Sequence, residues 1–466
     1  MNHRTSPQSK VTKQGATGCP STSYQLKFCD YPSPLTAAAA MAETDRCYYC
    51  YDAPCMKACP ADINVPQFIH RIAEHNIRGA AETILSANEL GGMCARVCPT
   101  EVLCEQACVR QAQEQKPVEI GRLQRFATDQ YFANPGKPLF QRTPATGKRV
   151  AVVGAGPAGL TVAHRLARQG HDIVLFDAHP KLGGLNEYGL ARYKTSSEFA
   201  QQEIQWLLSI GGIDVRCSQQ LGRDIFLEQL QDEFDAVFLG LGLNAVNALG
   251  IDEPDLPSVR EAIDFIADIR QADDLSLVEV GQHVVVIGGG MTAVDAAVQA
   301  KKLGAESVTM VYRRGESSFK ASEHEINWAR ENGVVIQCWA RPEAIVVDGL
   351  LQGMSFIKTE QVAGKLVDTA ERITFKADMV LKAIGQSYQP WSGPLHPVLE
   401  QGRIAVDEQC RTSITGVWAG GDCVTGGLDL TVDAVRLGKI AAQSIDYELQ
   451  QHEQKRPILE AEVSNG

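Results

Sequence analysis

Two glycine runs constrain this chain more than any other feature. The first, Gly154-Ala155-Gly156-Pro157-Ala158-Gly159, follows the apolar stretch Val150–Val153. The second, Gly288-Gly289-Gly290-Met291-Thr292-Ala293, follows His283–Ile287. A continuous apolar run marks a strand buried on both faces of a parallel sheet. Glycines directly after it permit a tight turn, close approach of a pyrophosphate to the backbone, and close helix–strand packing. The helix that opens there offers unpaired N–H groups and about half a positive charge to phosphate. The spacing predicts helices over 160–169 and 292–303, and next strands at Asp172–Phe176 and Ser307–Tyr312. Strand before and helix after turn a weak motif into a strong one. The chain is therefore expected to be α/β, with two Rossmann-like dinucleotide-binding units.

The residue that follows the second strand of each unit separates the two. Asp172–Phe176 runs into Asp177, where a carboxylate can accept a ribose 2′-hydroxyl. Ser307–Tyr312 instead runs into Arg313 and Arg314, with Lys320 beyond them. A carboxylate there would repel a 2′-phosphate, whereas arginine binds one through charge-assisted bonds of about 1.5–3 kcal/mol each. The second unit is expected to prefer NADPH, with NADH as the other option. The alternative is a solvated pair of surface arginines.

Eight of the fourteen cysteines fall between Cys47 and Cys108. They form two groups, Cys47, Cys50, Cys55 and Cys59, then Cys94, Cys98, Cys104 and Cys108. Cys59 and Cys98 each precede a proline. The first group is a variant of the bacterial C-x2-C-x2-C-x3-C-P run, whose fourth cysteine serves the other cluster in two-cluster ferredoxins. Thiolates are soft ligands suited to iron–sulfur clusters. Two structural zinc sites would also use these cysteines, without explaining their place beside two redox-nucleotide units. Cys217, Cys338, Cys410 and Cys423 are scattered and read as ordinary buried thiols.

The 44 basic and 56 acidic residues leave a net charge of −12, which argues against a nucleic-acid partner. No apolar run reaches the roughly 18 residues of a membrane span, and the polar start Met1–Pro7 carries no secretory h-region. The expected location is cytoplasmic, where clustered cysteines mean metal ligation or catalysis more often than disulfides. Residues 1–45, rich in Ser, Thr, Pro and Ala, read as a flexible arm with some helix near Leu35–Thr44. Residues 46–147 hold the cysteines, a helical stretch from Phe68 to Leu85, and a Pro- and Gly-rich linker over 133–147. A long final helix is expected from Thr431, with a frayed polar tail after Gln450. Beyond Cys108 there is no C-x-x-C or C-x4-C pair, and no H-E-x-x-H zinc motif occurs. The cysteine segment is thus the evident exit for electrons collected by the nucleotide units. Hydride transfer needs positioning more than an acid or base, so no catalytic acid or base is assigned.

In combination, the cysteine runs, Gly154–Gly159, Leu182-Gly183-Gly184-Leu185, GGGMTAVDAA at 288–297, VYRRG at 311–315, AIGQ at 383–386 and AGGDC at 419–423 carry a resemblance. The chain resembles, over about residues 40–447, the flavoprotein electron-input module shared by dihydropyrimidine dehydrogenases and the small subunit of glutamate synthase. The resemblance implies FAD on the first fingerprint and NAD(P)H on the second. It carries Gly184, Leu185, Arg192, Gly240, Gly421, Asp422, Leu430 and Thr431 to the FAD site. It carries Gly288, Gly290, Met291, Thr292, Arg313, Arg314, Lys320, Ala383, Ile384 and Gly385 to the NAD(P)H site. Met291 departs from the Asn or Asp common at that place. The implied FAD domain is discontinuous, 148–279 and 386–466, with the NAD(P)H domain 280–385 inserted and an α-helical iron–sulfur domain in front.

Five residues separate Cys98 from Cys104, and Ile120-Gly121-Arg122-Leu123-Gln124 follows. Both features resemble the dihydropyrimidine dehydrogenase branch. That branch implies one 4Fe-4S cluster on Cys47, Cys50, Cys55 and Cys108, and a second on Cys59, Cys98, Cys104 and Gln124. Cys94 is then a spare thiol or a competing ligand. The implied function is the electron-input subunit of a dihydropyrimidine dehydrogenase. Hydride would pass from NAD(P)H to FAD, and single electrons through two clusters to a separate FMN/iron–sulfur subunit that reduces uracil or thymine. Alternatives are a glutamate synthase small subunit or related NAD(P)H:acceptor oxidoreductase and, in another class, a non-enzymatic nucleotide- and metal-binding redox sensor.

Overall fold

A computed structural model describes residues 23–196 and 198–463; the arm before residue 23 lies outside them. Two five-stranded parallel sheets carry the two glycine turns. In the first, Arg149–Val153 is central, paired with Asp172–Phe176 on one side and Ala236–Leu239 on the other. Ile213–Arg216 and Val417–Ala419 close its edges. In the second, His283–Ile287 is central between Ser307–Tyr312 and Met379–Lys382, with Val335–Cys338 and Val259–Glu261 outermost. Both central strands are buried along their apolar runs, as a parallel sheet covered on both faces requires. The chain leaves the first sheet, builds the second, and returns to the first at Val417.

The second unit begins earlier than residue 280. Val259–Glu261 joins its sheet, and the helix Ala262–Gln271 places Phe265, Ile266 and Ile269 in its core. The fingerprint marks the central strand of a unit, so it cannot reveal an edge strand that precedes it in sequence. A three-stranded antiparallel sheet, Ala340–Asp348, Leu350–Val362 and Lys365–Lys376, is inserted before the last strand of this unit.

The cysteine domain is helical. Helices Ala37–Thr44, Val65–Ala73, Ile77–Ala87, Gly91–Val97 and Ile120–Ala133 enclose a core that includes Phe68, Ile69, Ile72, Ile84 and Leu123. Asparagine side chains cap two of its helix starts. Asn64 accepts the Gln67 N–H at 3.1 Å ahead of Pro66, and Asn76 accepts the Gly79 N–H at 2.9 Å. Each cap stabilises its helix by about 1 kcal/mol.

Long-range contacts fasten this domain to the first unit. Glu203, in the helix Phe199–Leu208, accepts the Gly92 and Met93 N–H groups at 2.7 and 3.2 Å. It thereby satisfies two donors that the start of Gly91–Val97 leaves unpaired, and burial pushes its carboxyl up to about 8. Val432, at the start of the final helix Thr431–Val463, is buried in the cysteine-domain core. Lys439 on the same helix donates to the Ala61 carbonyl at 2.8 Å.

Residues 24–31, read as part of a flexible arm, instead pack on the second unit. Phe28 is buried in its core, with Tyr24 and Tyr31 against it. A Ser/Thr/Pro-rich average conceals three aromatic anchors.

Candidate functional site

At the first turn, Gly154 has φ 97°, and a Cβ there would lie 2.2 Å from the Gly240 carbonyl oxygen. A Cβ on Gly159 would lie 1.9 Å from the Gly154 oxygen. Only glycine fits either place. Gly156 precedes the helix Pro157–Arg168, whose first turn includes Ala158, and Gly184 crosses close above it: a Cβ on Gly184 would meet the Gly156 Cα at 2.9 Å. Asp177 is buried. Its Oδ2 accepts the Ala155 N–H at 2.7 Å and its Oδ1 the His179 N–H at 2.8 Å. An ionised carboxylate has about four acceptor sites, so it can take a hydroxyl as well.

Two polar groups near this turn are left over. Burial, with Asp429 nearby, pushes the Asp422 carboxyl up to about 6, and among the described residues nothing hydrogen-bonds its side chain. Thr431 Oγ1 donates to Asn186 Oδ1 at 2.8 Å, while the buried Asn186 Nδ2 has no partner among the described residues. Asn186 escaped the sequence reading, where its place beside Leu185 was the only signal. Leu185 and Leu430 supply apolar surface at the same place, and Gly421 packs on Ala158. A half-buried carboxylate and an unpaired buried amide beside a glycine turn suit a large polar nucleotide such as FAD. Arg192 stands apart from them. Its guanidinium donates to the Ile269 and Ala272 carbonyls at 2.9 and 2.8 Å, at the end of the helix Ala262–Gln271.

The second turn repeats the packing of the first. A Cβ on Gly288 would lie 2.2 Å from the Ala383 oxygen, so Ala383-Ile384-Gly385 backs this turn as Gly240 backs the other. Gly290 caps the helix Met291–Leu303, with Met291 and Thr292 in its first turn and open space where a Cβ would stand. The Lys320 N–H donates to the Gly289 carbonyl at 2.9 Å. The Arg313, Arg314 and Lys320 side chains are exposed, and among the described residues none is in an ion pair.

All eight clustered cysteines are free thiols. Cys47, Cys50, Cys55 and Cys108 line one pocket, walled by Pro54, Val65, Ile69, Val118 and Ile120. Burial, with Cys108 and Cys47 nearby, pushes the Cys55 thiol up to about 12. Cys59, Cys94, Cys98 and Cys104 form a second neighbourhood. A hydrogen bond with Cys94, then burial, pushes the Cys98 thiol up, and burial, Glu105 and Cys59 do the same for Cys104. Crowded, desolvated thiols of this kind give up their protons to a metal that binds thiolate. Gln124 is buried beside them, its Nε2 donating to the Gly91 carbonyl at 2.7 Å, which fixes the amide. Among the described residues no three His, Cys, Asp or Glu side chains converge on the point of a single metal ion.

Residues 148–438 match the model of the pyridine nucleotide-disulphide oxidoreductases. The chain belongs to that family. Residues 25–135 match dihydropyrimidine dehydrogenase domain II, 4Fe-4S cluster. The chain is 36% identical over 429 residues to the NAD-dependent dihydropyrimidine dehydrogenase subunit PreT of Escherichia coli K12, covering 91% of this chain and 98% of PreT. It is 34% identical over 448 residues to the glutamate synthase [NADPH] small chain of the same organism, covering 90% and 94%. Mycobacterium tuberculosis FprA in complex with NADPH shares the fold, with a TM-score of 0.56 at 18% identity over 67% of this chain and 86% of that one. The protein is thus an NAD(P)H-dependent electron-transfer oxidoreductase of the FAD-binding type with a 4Fe-4S domain. Both branches are about equally near, so the five-residue gap after Cys98 does not by itself choose between them. No described helix is long and apolar enough to cross a membrane.

Proposed function

We propose that this chain is the electron-input subunit of a dihydropyrimidine dehydrogenase. The reading rests on one observation above all: a cysteine domain of the dihydropyrimidine dehydrogenase type is docked on the helix start Leu430–Val432. Thr431 there bonds Asn186 on the nucleotide side, while Val432 is buried among the cysteine-domain helices. The two apolar residues around Thr431 pack against the cysteine core, Val432 fully and Leu430 in part.

In this reading FAD lies on Gly154–Gly159, Asp177, Gly184, Leu185, Gly240, Gly421, Asp422, Leu430 and Thr431. FAD supplies the exchange between two-electron and one-electron chemistry when bound. Gly288, Gly290, Met291, Thr292 and the Ala383–Gly385 segment receive NADPH, and Arg313, Arg314 and Lys320 hold its 2′-phosphate. Cys47, Cys50, Cys55 and Cys108 hold one 4Fe-4S cluster, and Cys59, Cys98, Cys104 and Gln124 a second. Cys94, on the helix Gly91–Val97 and one turn before its C-cap Cys98, is the competitor of Gln124. The acceptor is a separate cytoplasmic FMN/iron–sulfur subunit that reduces uracil or thymine. The second reading, a glutamate synthase small subunit, is favoured by the 34% identity over 448 residues.

The test is anaerobic copurification with each type of partner. Uracil-dependent oxidation of NADPH or NADH supports the proposal, and oxidation that needs glutamine plus 2-oxoglutarate replaces it with the second reading. Metal analysis should find about eight iron and eight sulfide per FAD; a colourless zinc protein would remove the cluster assignment.

A further inference from the structure

Between the helices Leu185–Tyr188 and Phe199–Leu208, the chain leaves the first unit and crosses to the second. Ala191 and Tyr193 are fully buried in the core of that second unit. The Lys194 ammonium lies 2.8 Å from Asp295 and 2.9 Å from Glu325. Asp295 belongs to the helix Met291–Leu303 that the second glycine turn opens, and Glu325 to the helix Glu323–Glu331 just beyond Lys320. The Tyr193 hydroxyl donates to Asp295 at 2.9 Å, and the Arg192 N–H donates to Gln299 at 2.9 Å. From outside, the Tyr31 N–H donates to the Tyr193 carbonyl at 2.8 Å, and the Tyr31 ring stacks on Trp328 with centroids 3.4 Å apart. Asp30 accepts the Ser196 N–H at 3.3 Å and pairs with Arg125, the neighbour of Gln124. A single short crossing therefore touches both nucleotide units and, through Asp30, the cysteine domain.

A buried set of one cation and two carboxylates is a poor device for stability, since apolar residues of the same volume do as well or better. Its strength is directional: it is satisfied in one arrangement of the helices and in no other. Burial works against the Lys194 charge, yet Asp295 and Glu325 keep its pKa above the usual lysine value. Hydride transfer is similarly intolerant, because the reacting atoms must come within about 3–3.5 Å. Two nucleotides held on separate sheets meet that condition only when the sheets keep a fixed relation.

We propose that the crossing, locked by Lys194, is an interdomain clamp, and that Lys194 is a positioning residue which orients the NAD(P)H-binding unit against the FAD-binding unit. Lys194 touches neither nucleotide in this role. It acts through Asp295 on the helix behind the coenzyme turn. The clamp rests on the two-nucleotide reading of the site; reduction of the wild-type flavin by NADPH checks that reading separately, and solution scattering reads the clamp without turnover.

The experiment compares holoenzyme carrying Lys194→Met with wild type and Lys194→Arg. Small-angle X-ray scattering should show a broadened interdomain distance distribution for Lys194→Met. Flavin reduction at saturating NADPH, followed by stopped flow without oxygen, should slow by about tenfold or more. The Kd for NADP+ should stay within about threefold, since the phosphate-binding residues are untouched. Lys194→Arg should recover most of the rate. Unchanged scattering, unchanged flavin reduction, or a Kd that moves as far as the rate each overturns the clamp. If Lys194→Met fails to fold, the pair Lys194→Met/Glu325→Gln carries the same test, because it removes the cation together with one carboxylate and leaves Asp295 on the Tyr193 hydroxyl.

Discussion

A Cβ on Gly154 would strike the Gly240 carbonyl at 2.2 Å, and one on Gly288 would strike the Ala383 carbonyl at the same distance. The two nucleotide units solve the turn identically, by backing it with another strand's end. They part company at the end of the next strand. Asp177 is buried and spends both oxygens on backbone N–H groups, whereas Arg313 and Arg314 are exposed, with no ion pair among the described residues. A buried anion bound to the turn suits a nucleotide that stays. Exposed cations suit one that arrives and leaves with an extra phosphate. On the proposed reading, the glycines set the pocket while the strand-end residue sets its occupant.

The severest way to break the comparison is at the helix contact. Gly159→Val forces a side chain into a space already 1.9 Å from the Gly154 oxygen at Cβ. It should cost more than about 3 kcal/mol, and the purified protein should carry almost no flavin, as absorbance will show. The next effect is on coenzyme choice. Arg313→Ser with Arg314→Ser should lower the ratio of kcat/KM for NADPH over NADH by about ten- to hundredfold. An unchanged ratio would mean that the arginines are a solvated surface pair.

Asp422 sharpens the first half of the comparison through pH. Its carboxyl rises from 3.8 to about 6 on folding, chiefly by burial. A raised acid contributes stability that is whole below the unfolded value and lost as pH rises through the folded one. FAD-free wild type should therefore lose about 2–3 kcal/mol relative to Asp422→Asn between pH 4 and pH 7, measured by urea melts. The smallest effect is at Gly290, where a Cβ meets nothing within 4 Å. Gly290→Ala should change stability by less than about 1 kcal/mol, so the gap between it and Gly159→Val separates a glycine required by packing from one that leaves room for a ligand.

Much of this fold can be read in the sequence where the signal is local. The apolar runs at 150–153 and 283–287 announce the two central strands. What escapes is set by distant partners. The edge strand Val259–Glu261 is defined only by its pairing with Met379–Lys382. Arg192, carried to the FAD site by resemblance, donates its guanidinium to the end of a helix about eighty residues on, because those carbonyls lack N–H donors within their own helix. Asn186 shows its importance only through Thr431, 245 positions away. The cysteine groups are legible by spacing as two sets of four; the resemblance moves Cys108 to Cys47, Cys50 and Cys55, and these four line one pocket of the fold.

Val432 has a consequence for how the protein is made. The helices that hold the cysteines are synthesised first, yet their core is completed by a residue near the end of the chain. Domains generally fold as they emerge, and contacts of long sequence separation form late. The cysteine domain must then wait, with its thiols crowded and its core unsealed, until more than three hundred further residues have been added. The seal of the cysteine core thus depends on a residue more than three hundred positions beyond Cys108.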